Sequence, residues 1–404
     1  MVHEAPGRRR LDELELVGHY ESWREDIERA ADIGFGAMRC GIPWYRVEPS
    51  PGTFDWSWTD QVLPYLVELA IEPIADLVHY GTPLWMPNAF ADAAYPARVT
   101  SYAAAFAERY ATLVRHYTPV NEPAVTALVC GFAGRWPPYL TGHAGYVQVL
   151  AGLCRGIVGE AAGIRAARRD AVIVHVEGTG FWLAPDAPDG STGAPRTERV
   201  YAALDLLTGR VDSDHELYAY LTGHGLTDAD LAWHRDHAMI PDVIGLNYYP
   251  DGSVHRLAPD ADGDPDAVSR VWGGTAHLAA AIRDFHARYG RPIFVSETGC
   301  NERSAAWVPW PKRDGDRSAF RSWWLDDLAV MLRSSIAAGV PVWGCTWWPL
   351  VDAVSWAYRD GVEPLDAYLE PGGLVHLGPN GDGRLERQQL AVAARMREVI
   401  ATWT

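Results

Sequence analysis

Short apolar, β-branched runs alternate with loops and then with stretches of helical spacing along nearly the whole chain. The runs 37–43, 72–79, 116–120, 171–177, 242–248, 292–297 and 342–347 read as strands. Between or beside them, apolar positions recur at i, i+3 and i+4 in 22–33, 61–70, 101–116, 145–168, 272–288 and 320–338, the spacing of helices with one buried face. A strand followed by such a helix, repeated, builds βαβ units and a parallel sheet. These strands all follow residue 36, and a (β/α)8 TIM barrel needs eight. The expected fold is therefore a (β/α)8 barrel over 1–404 as a single domain, its first strand short, degenerate or missing, because residues 1–18 are too polar and basic to supply it. The Gly-, Pro- and Asp-rich segments 185–195 and 251–266 are expected to be surface loops.

Charge narrows the partners. A net charge of −17 on 404 residues repels nucleic acid and anionic membrane surfaces, so neither is expected as a partner. No stretch reads as apolar for long enough to span a bilayer, and the start carries no apolar signal-peptide core. Five cysteines, an odd number without CxxC spacing, suit buried free thiols in a reducing cytoplasm. Eighteen tryptophans and eighteen tyrosines fit either sugar stacking or core packing. Oligomeric state leaves no mark in the sequence. No His, Cys and carboxylate cluster has metal-ligand spacing, and neither a phosphate loop nor a dinucleotide fingerprint is present, so no metal and no cofactor is expected.

Candidate chemistry sits where the strands end. Arg39, His79, Asn121 with Glu122, Glu177, Asn247 with Tyr249, Glu297, and Trp347 with Trp348 all fall at or just past a strand's carboxyl end, which in a (β/α)8 barrel is the active-site face. Two of them are carboxylates in shaped contexts: Asn121-Glu122-Pro123 and Ser296-Glu297-Thr298-Gly299. Two carboxyl groups flanking an anomeric carbon are what glycoside cleavage requires, and their separation decides between retention and inversion. Each polar strand end also has a plainer reading. His79 fits a satisfied core histidine, Trp348 fits barrel packing, and Glu177 fits a supporting structural carboxylate.

These residues resemble glycoside hydrolase family 1. Asn-Glu-Pro after one strand and a Glu followed by Thr-Gly after another are similar to its two signatures. The run Arg39–Trp44–Arg46 to Trp56, the segments 77–83 and 245–250, and Trp347-Trp-Pro-Leu-Val-Asp352 are similar to its second-, third-, sixth- and eighth-strand regions, in the same order. The resemblance implies a retaining glycosidase acting on a small-molecule glycoside or oligosaccharide, with Glu122 as acid/base and Glu297 as nucleophile. It further implies Asn121 on the sugar 2-hydroxyl, Arg39 and Tyr249 on Glu297, His79 on a glycon hydroxyl and Trp348 as a stacking floor, with Glu177, Asn247, Ser355 and Trp356 as further candidate substrate contacts.

The chain departs from the family at the glycon end. No Gln-bearing first strand is present, and where the family has Asp-Asn-Phe-Glu-Trp this chain has Asp352-Ala-Val-Ser355-Trp356, a serine replacing a carboxylate. His79-Tyr80 stands for the family's His-Trp. An altered glycon is expected: a pentose, a deoxysugar, or a sugar modified at its far end. Arg8, Arg9 and Arg10 are expected to be a solvated basic terminus, with folding over the site mouth as the alternative. Glu302 and Arg303 are candidate aglycon-side groups. A non-hydrolytic sugar-binding barrel, a transglycosidase and a clan-related retaining hydrolase remain as other readings.

Overall fold

The computed structural model describes residues 2–3, 7–183, 198–257, 268–308, 310–311, 318–380 and 385–403, and all counts below refer to these. Seven parallel strands form one sheet in sequence order: β1 (Ala37–Gly41), β2 (Glu72–Val78), β3 (His116–Val120), β4 (Val172–Gly178), β5 (Val243–Asn247), β6 (Ile293–Thr298) and β7 (Val342–Trp347). The helices α1 (His19–Ile33), α2 (Thr59–Glu68), α3 (Tyr95–Arg109), α4 (Gly142–Ala167), α5 (Gly274–Tyr289) and α6 (Ser318–Ala337) lie between them in the chain. This is the (β/α)8 barrel arrangement with one strand short of closure. β1 and β7 are the two edges of the sheet and do not pair with each other. The first strand is missing, as the sequence implied: Val2–His3 and Leu11–Asp12 instead make an antiparallel pair outside the barrel sheet.

The edges pay for the missing neighbour in exposure. β2, β3, β5 and β6 are buried along almost their whole length, whereas every second residue of β7 from Trp343 to Cys345 is exposed. Cys345 is thus exposed, contrary to an expectation of uniformly buried thiols; the five cysteines are free, and Cys130, Cys154 and Cys300 are buried.

Two further expectations are corrected. Segment 251–266 is more than a loop: Val254–Leu257 pairs with Val268–Val271 and with Phe181–Leu183 in a three-stranded sheet, a non-local pairing that Gly and Pro content conceals. The proposed loop 185–195 lies outside the described residues. One helix, α4, is long and apolar enough to cross a membrane, contrary to the sequence reading. Its apolar length packs on α3 and on the turn 89–91 before it, where glycines allow close approach: a Cβ on Gly159 would meet Thr100 Oγ1 of α3 at 2.0 Å, and one on Gly152 would meet Phe90 O of the turn at 2.2 Å.

The basic terminus is solvent-exposed at Arg8 and Arg10, as expected, and half-buried at Arg9, and its charges find partners on the surface. Arg8 Nη1 lies 3.1 Å from Asp360, and Arg9 donates to Glu363 O at 2.6 Å and from its backbone N to Arg359 O at 3.0 Å. Its ring neighbours are Tyr358 and Tyr368. None of the three arginines borders the cavity described next.

Candidate active site

A cavity of about 1080 Å³ opens at the carboxyl ends of the strands. Glu122 and Glu297 both border it, each almost wholly buried. Backbone geometry aims Glu122. Asn121 N donates to Val78 O and Glu122 N to Val176 O, so the residue is pinned to strands on both sides. Pro123 then starts a helix, and a residue before proline is disfavoured in the right-handed helical region; Glu122 turns left-handed, φ 47°. Gly178 makes room for the carboxyl, since a Cβ there would lie 2.9 Å from Glu122 Oε1.

Every oxygen of the pair is held. Arg39 Nη1 donates to Glu297 Oε1 at 2.6 Å, and Tyr249 Oη donates to Glu297 Oε2 at 2.6 Å. Asn247 Nδ2 donates to Glu122 Oε1 at 3.0 Å, and the Tyr80 hydroxyl contacts Glu122 Oε2. The orientation of Asn247 is fixed from behind: buried Ser296 donates its hydroxyl to Asn247 Oδ1 at 2.7 Å, which leaves the amide N–H groups for Glu122 and for Asn121 Oδ1 at 3.1 Å.

Burial and the nearby Glu297 carboxylate hold the Glu122 pKa well above the usual carboxylate range. Burial, with the same carboxylate beside it, raises the Tyr249 phenol far above its ordinary value, so it remains a donor to Glu297. Both groups are thereby kept in the protonated state, one as an acid and one as a hydrogen-bond donor.

Asp76 ties the other half of the network together. Its Oδ2 accepts from Arg39 Nη2 at 2.7 Å and lies 2.8 Å from His79 Nδ1, while Arg39 Nη2 also reaches Asn121 Oδ1 at 3.0 Å. A carboxylate inside an apolar strand is costly unless paired, and that was the one signal in the sequence that could have singled out Asp76. Tyr80 was marked only by standing where the resembling family has a tryptophan, and Ser296 and Gly178 carried no signal beyond their proximity to flagged residues.

The structure brings together most of the expected site. Arg39, His79, Asn247 and Tyr249 border the cavity with the two glutamates, and so do half-exposed Trp348 and Trp356. Asn121 lies behind this surface, fully buried. Two expectations fail. Glu177 does not border the cavity: its Oε1 accepts from Ala124 N at 3.3 Å and Gly178 N at 3.1 Å, so it braces the turn that carries Glu122. Ser355 does not border the cavity either, because the chain pairs there with Tyr368, Ser355 N donating to Tyr368 O at 2.7 Å. Glu13 takes the place beside it, its Oε1 accepting from Val354 N at 2.7 Å and its side chain lining the cavity. Arg303 borders the cavity, whereas Glu302 pairs with Arg321 at 3.0 Å.

Comparison with known proteins agrees with this geometry. The glycosyl hydrolase family 1 profile matches residues 11–169. The chain is 24% identical to a 6-phospho-beta-glucosidase of Clostridium longisporum over 97% of this chain and 87% of the relative. It is 29% identical to beta-glucosidase 4 of Oryza sativa subsp. japonica over 84% and 78%. Among solved structures, the family 1 β-glucosidase of Thermotoga maritima shares its fold with a TM-score of 0.76 at 20% identity, covering 95% of this chain and 86% of that one. The chain thus has the (β/α)8-barrel fold of the family 1 β-glucosidase and is similar to glycosyl hydrolase family 1 over residues 11–169.

Proposed function

We propose that the chain is a retaining β-glycosidase in which Glu297 attacks the anomeric carbon and Glu122 protonates the departing oxygen. The observation that carries this is the unequal treatment of two carboxyls in one cavity. Glu297 is held by a guanidinium and a phenol, partners suited to an anion. Glu122 is buried beside that anion and keeps its proton, which suits an acid. Once Glu297 is glycosylated its charge is gone, Glu122 ionises more readily, and it accepts a proton from the incoming water as the C1–Glu297 bond breaks. Asn121, behind the cavity surface, reaches the sugar only if His79 and Arg39 shift; its main work is to orient Arg39 and Asn247.

The glycon is neutral and differs at its far end from that of ordinary glucosidases. Ser355 has withdrawn from the cavity and Glu13 lines the wall in its place. Several relatives, such as the phospho-cellobiase of Klebsiella oxytoca, carry names denoting phosphorylated sugars. Here a phosphate at that end would face the Glu13 carboxyl, so an unphosphorylated pentose or deoxysugar fits better. Transfer to a sugar acceptor is the second reading, favoured by one relative, a Delphinium grandiflorum glucosyltransferase that uses acyl-glucose, 24% identical over 91% of this chain.

A panel of aryl glycosides tests this: glucoside, 6-phosphoglucoside, galactoside, fucoside, xyloside and arabinosides. Turnover of a pentoside or deoxyglycoside above the glucoside is expected. Preference for the 6-phosphoglucoside, or binding without any turnover, would overturn the reading.

A further inference from the structure

Tyr80 follows His79 at the end of β2, where the resembling family has a tryptophan. Its backbone is left-handed, φ 65°, a conformation uncommon for a bulky side chain. The ring is buried and boxed by His79, Trp136 and Trp356, with centroids 4.7, 5.3 and 5.8 Å away. Packed among these three aromatic rings, the phenol ends on Glu122 Oε2. Both ends of this contact lie on left-handed residues, φ 65° and 47°.

The two oxygens of Glu122 are not equivalent. Oε1 faces the amide of Asn247, which can only donate, so Oε1 is an acceptor and the transferable proton belongs on Oε2. That is the oxygen Tyr80 touches. A carboxyl oxygen has two acceptor positions, so a hydroxyl on one leaves the other for the proton. The charged and titratable groups around Glu122 are the carboxyls of Glu297 and Glu177, the Arg39 guanidinium and the Tyr249 phenol. The carboxyls oppose an anion at Glu122; Arg39 and the donors favour it.

We propose that Tyr80 is a positioning residue for the acid/base carboxyl, holding Oε2 in place while it is protonated and donating to it once it is an anion. This rests on the reading of Glu122 as acid/base. In the first step the Oε2 proton passes to the leaving oxygen, the C1–O bond breaks and the C1–Glu297 bond forms. Tyr80 then donates its O–H to the Oε2 anion and loses no proton. In the second step water gives one proton back to Oε2 and its oxygen to C1, releasing Glu297. Tyr80 therefore acts most on the anionic state, and removing its hydroxyl makes that state harder to reach.

The test is a titration of the Glu122 carboxyl by ¹³C NMR on full-length protein carrying labelled glutamate, with Glu122→Gln to assign the signal. Wild type is compared with Tyr80→Phe and with Tyr80→Leu, a smaller side chain that also lacks a donor should the phenylalanine variant not fold. Loss of a charge-assisted hydrogen bond is expected to move the Glu122 midpoint up by about one unit in both, and the basic limb of kcat/KM with it. A purely packing role would alter stability and leave the midpoint alone. A midpoint within about 0.3 units of wild type in a folded variant overturns the role of Tyr80. A wild type that turns over no glycoside, even with the shift present, refutes the acid/base reading on which the proposal stands.

Discussion

At the scale of single residues, two carboxyls whose pKa values are raised make opposite kinds of prediction. Glu122 must be protonated to act first, so kcat/KM is expected to fall as pH rises through its elevated pKa, placing the basic limb well above the usual carboxylate range. An initial-rate pH profile reads this directly, and a basic limb near 4.5 would contradict it. Glu13 bears on stability. Burial pushes its pKa from 4.5 up to about 7, and its Oε2 has no partner among the described residues. A carboxyl with a raised pKa stabilises the fold fully below pH 4.5 and loses that contribution as pH rises through about 7. Denaturant unfolding at pH 4.5 and at pH 8 is therefore expected to show wild type losing roughly 3 kcal/mol more than Glu13→Gln over that interval. Equal losses in the two proteins would show that Glu13 is solvated. Asp76 completes this scale. Asp76→Ala frees Arg39 and His79 together, and about a 100-fold drop in kcat/KM is expected, whereas a change under about 3-fold would deny Asp76 any part in aligning Glu297.

At the scale of elements, the strands were legible because each is a short apolar run bounded by turns. Runs 116–120 and 342–347 coincide with β3 and β7. Helix starts were less legible: 101–116 was read where α3 occupies Tyr95–Arg109, since the apolar spacing runs on past Arg109 into β3. What no local pattern could reveal was contact between distant pieces. The pairing of Phe181–Leu183 with Val254–Leu257, the docking of Arg9 on residues 359–363, and the turning away of Ser355 all depend on neighbours far along the chain. Close packing of α4 on α3 and on the turn before it is of the same kind, and it carries a stability prediction. A side chain at Gly152 meets the carbonyl of Phe90 and cannot be relieved by a rotamer change. Gly152→Val is expected to cost about 3 kcal/mol, read as a lower urea midpoint at unchanged slope; an unchanged midpoint would mean that α4 is free to part from the turn 89–91 that leads into α3.

At the scale of the whole molecule, the barrel sets two carboxyls from strands far apart in sequence around one cavity. The sequence carried the pair itself, through Asn121-Glu122-Pro123 and Glu297-Thr298-Gly299, together with Arg39 and Tyr249 as the partners of Glu297. The residues that finish the site were hidden, because Asp76, Tyr80 and Ser296 matter only through the neighbours that barrel curvature gives them. β1 and β7 leave the sheet open, and Glu13 lines the cavity that holds the carboxylate pair. The central claim is the assignment of the two roles, and the anomeric configuration of the azide product tests it most directly. With the best aryl glycoside and added azide, Glu122→Ala retains its nucleophile and is expected to give the β-glycosyl azide. Glu297→Ala, in which azide takes the place of the missing carboxylate, is expected to give the α-glycosyl azide. The reverse pairing, or the same anomer from both variants, would contradict the account.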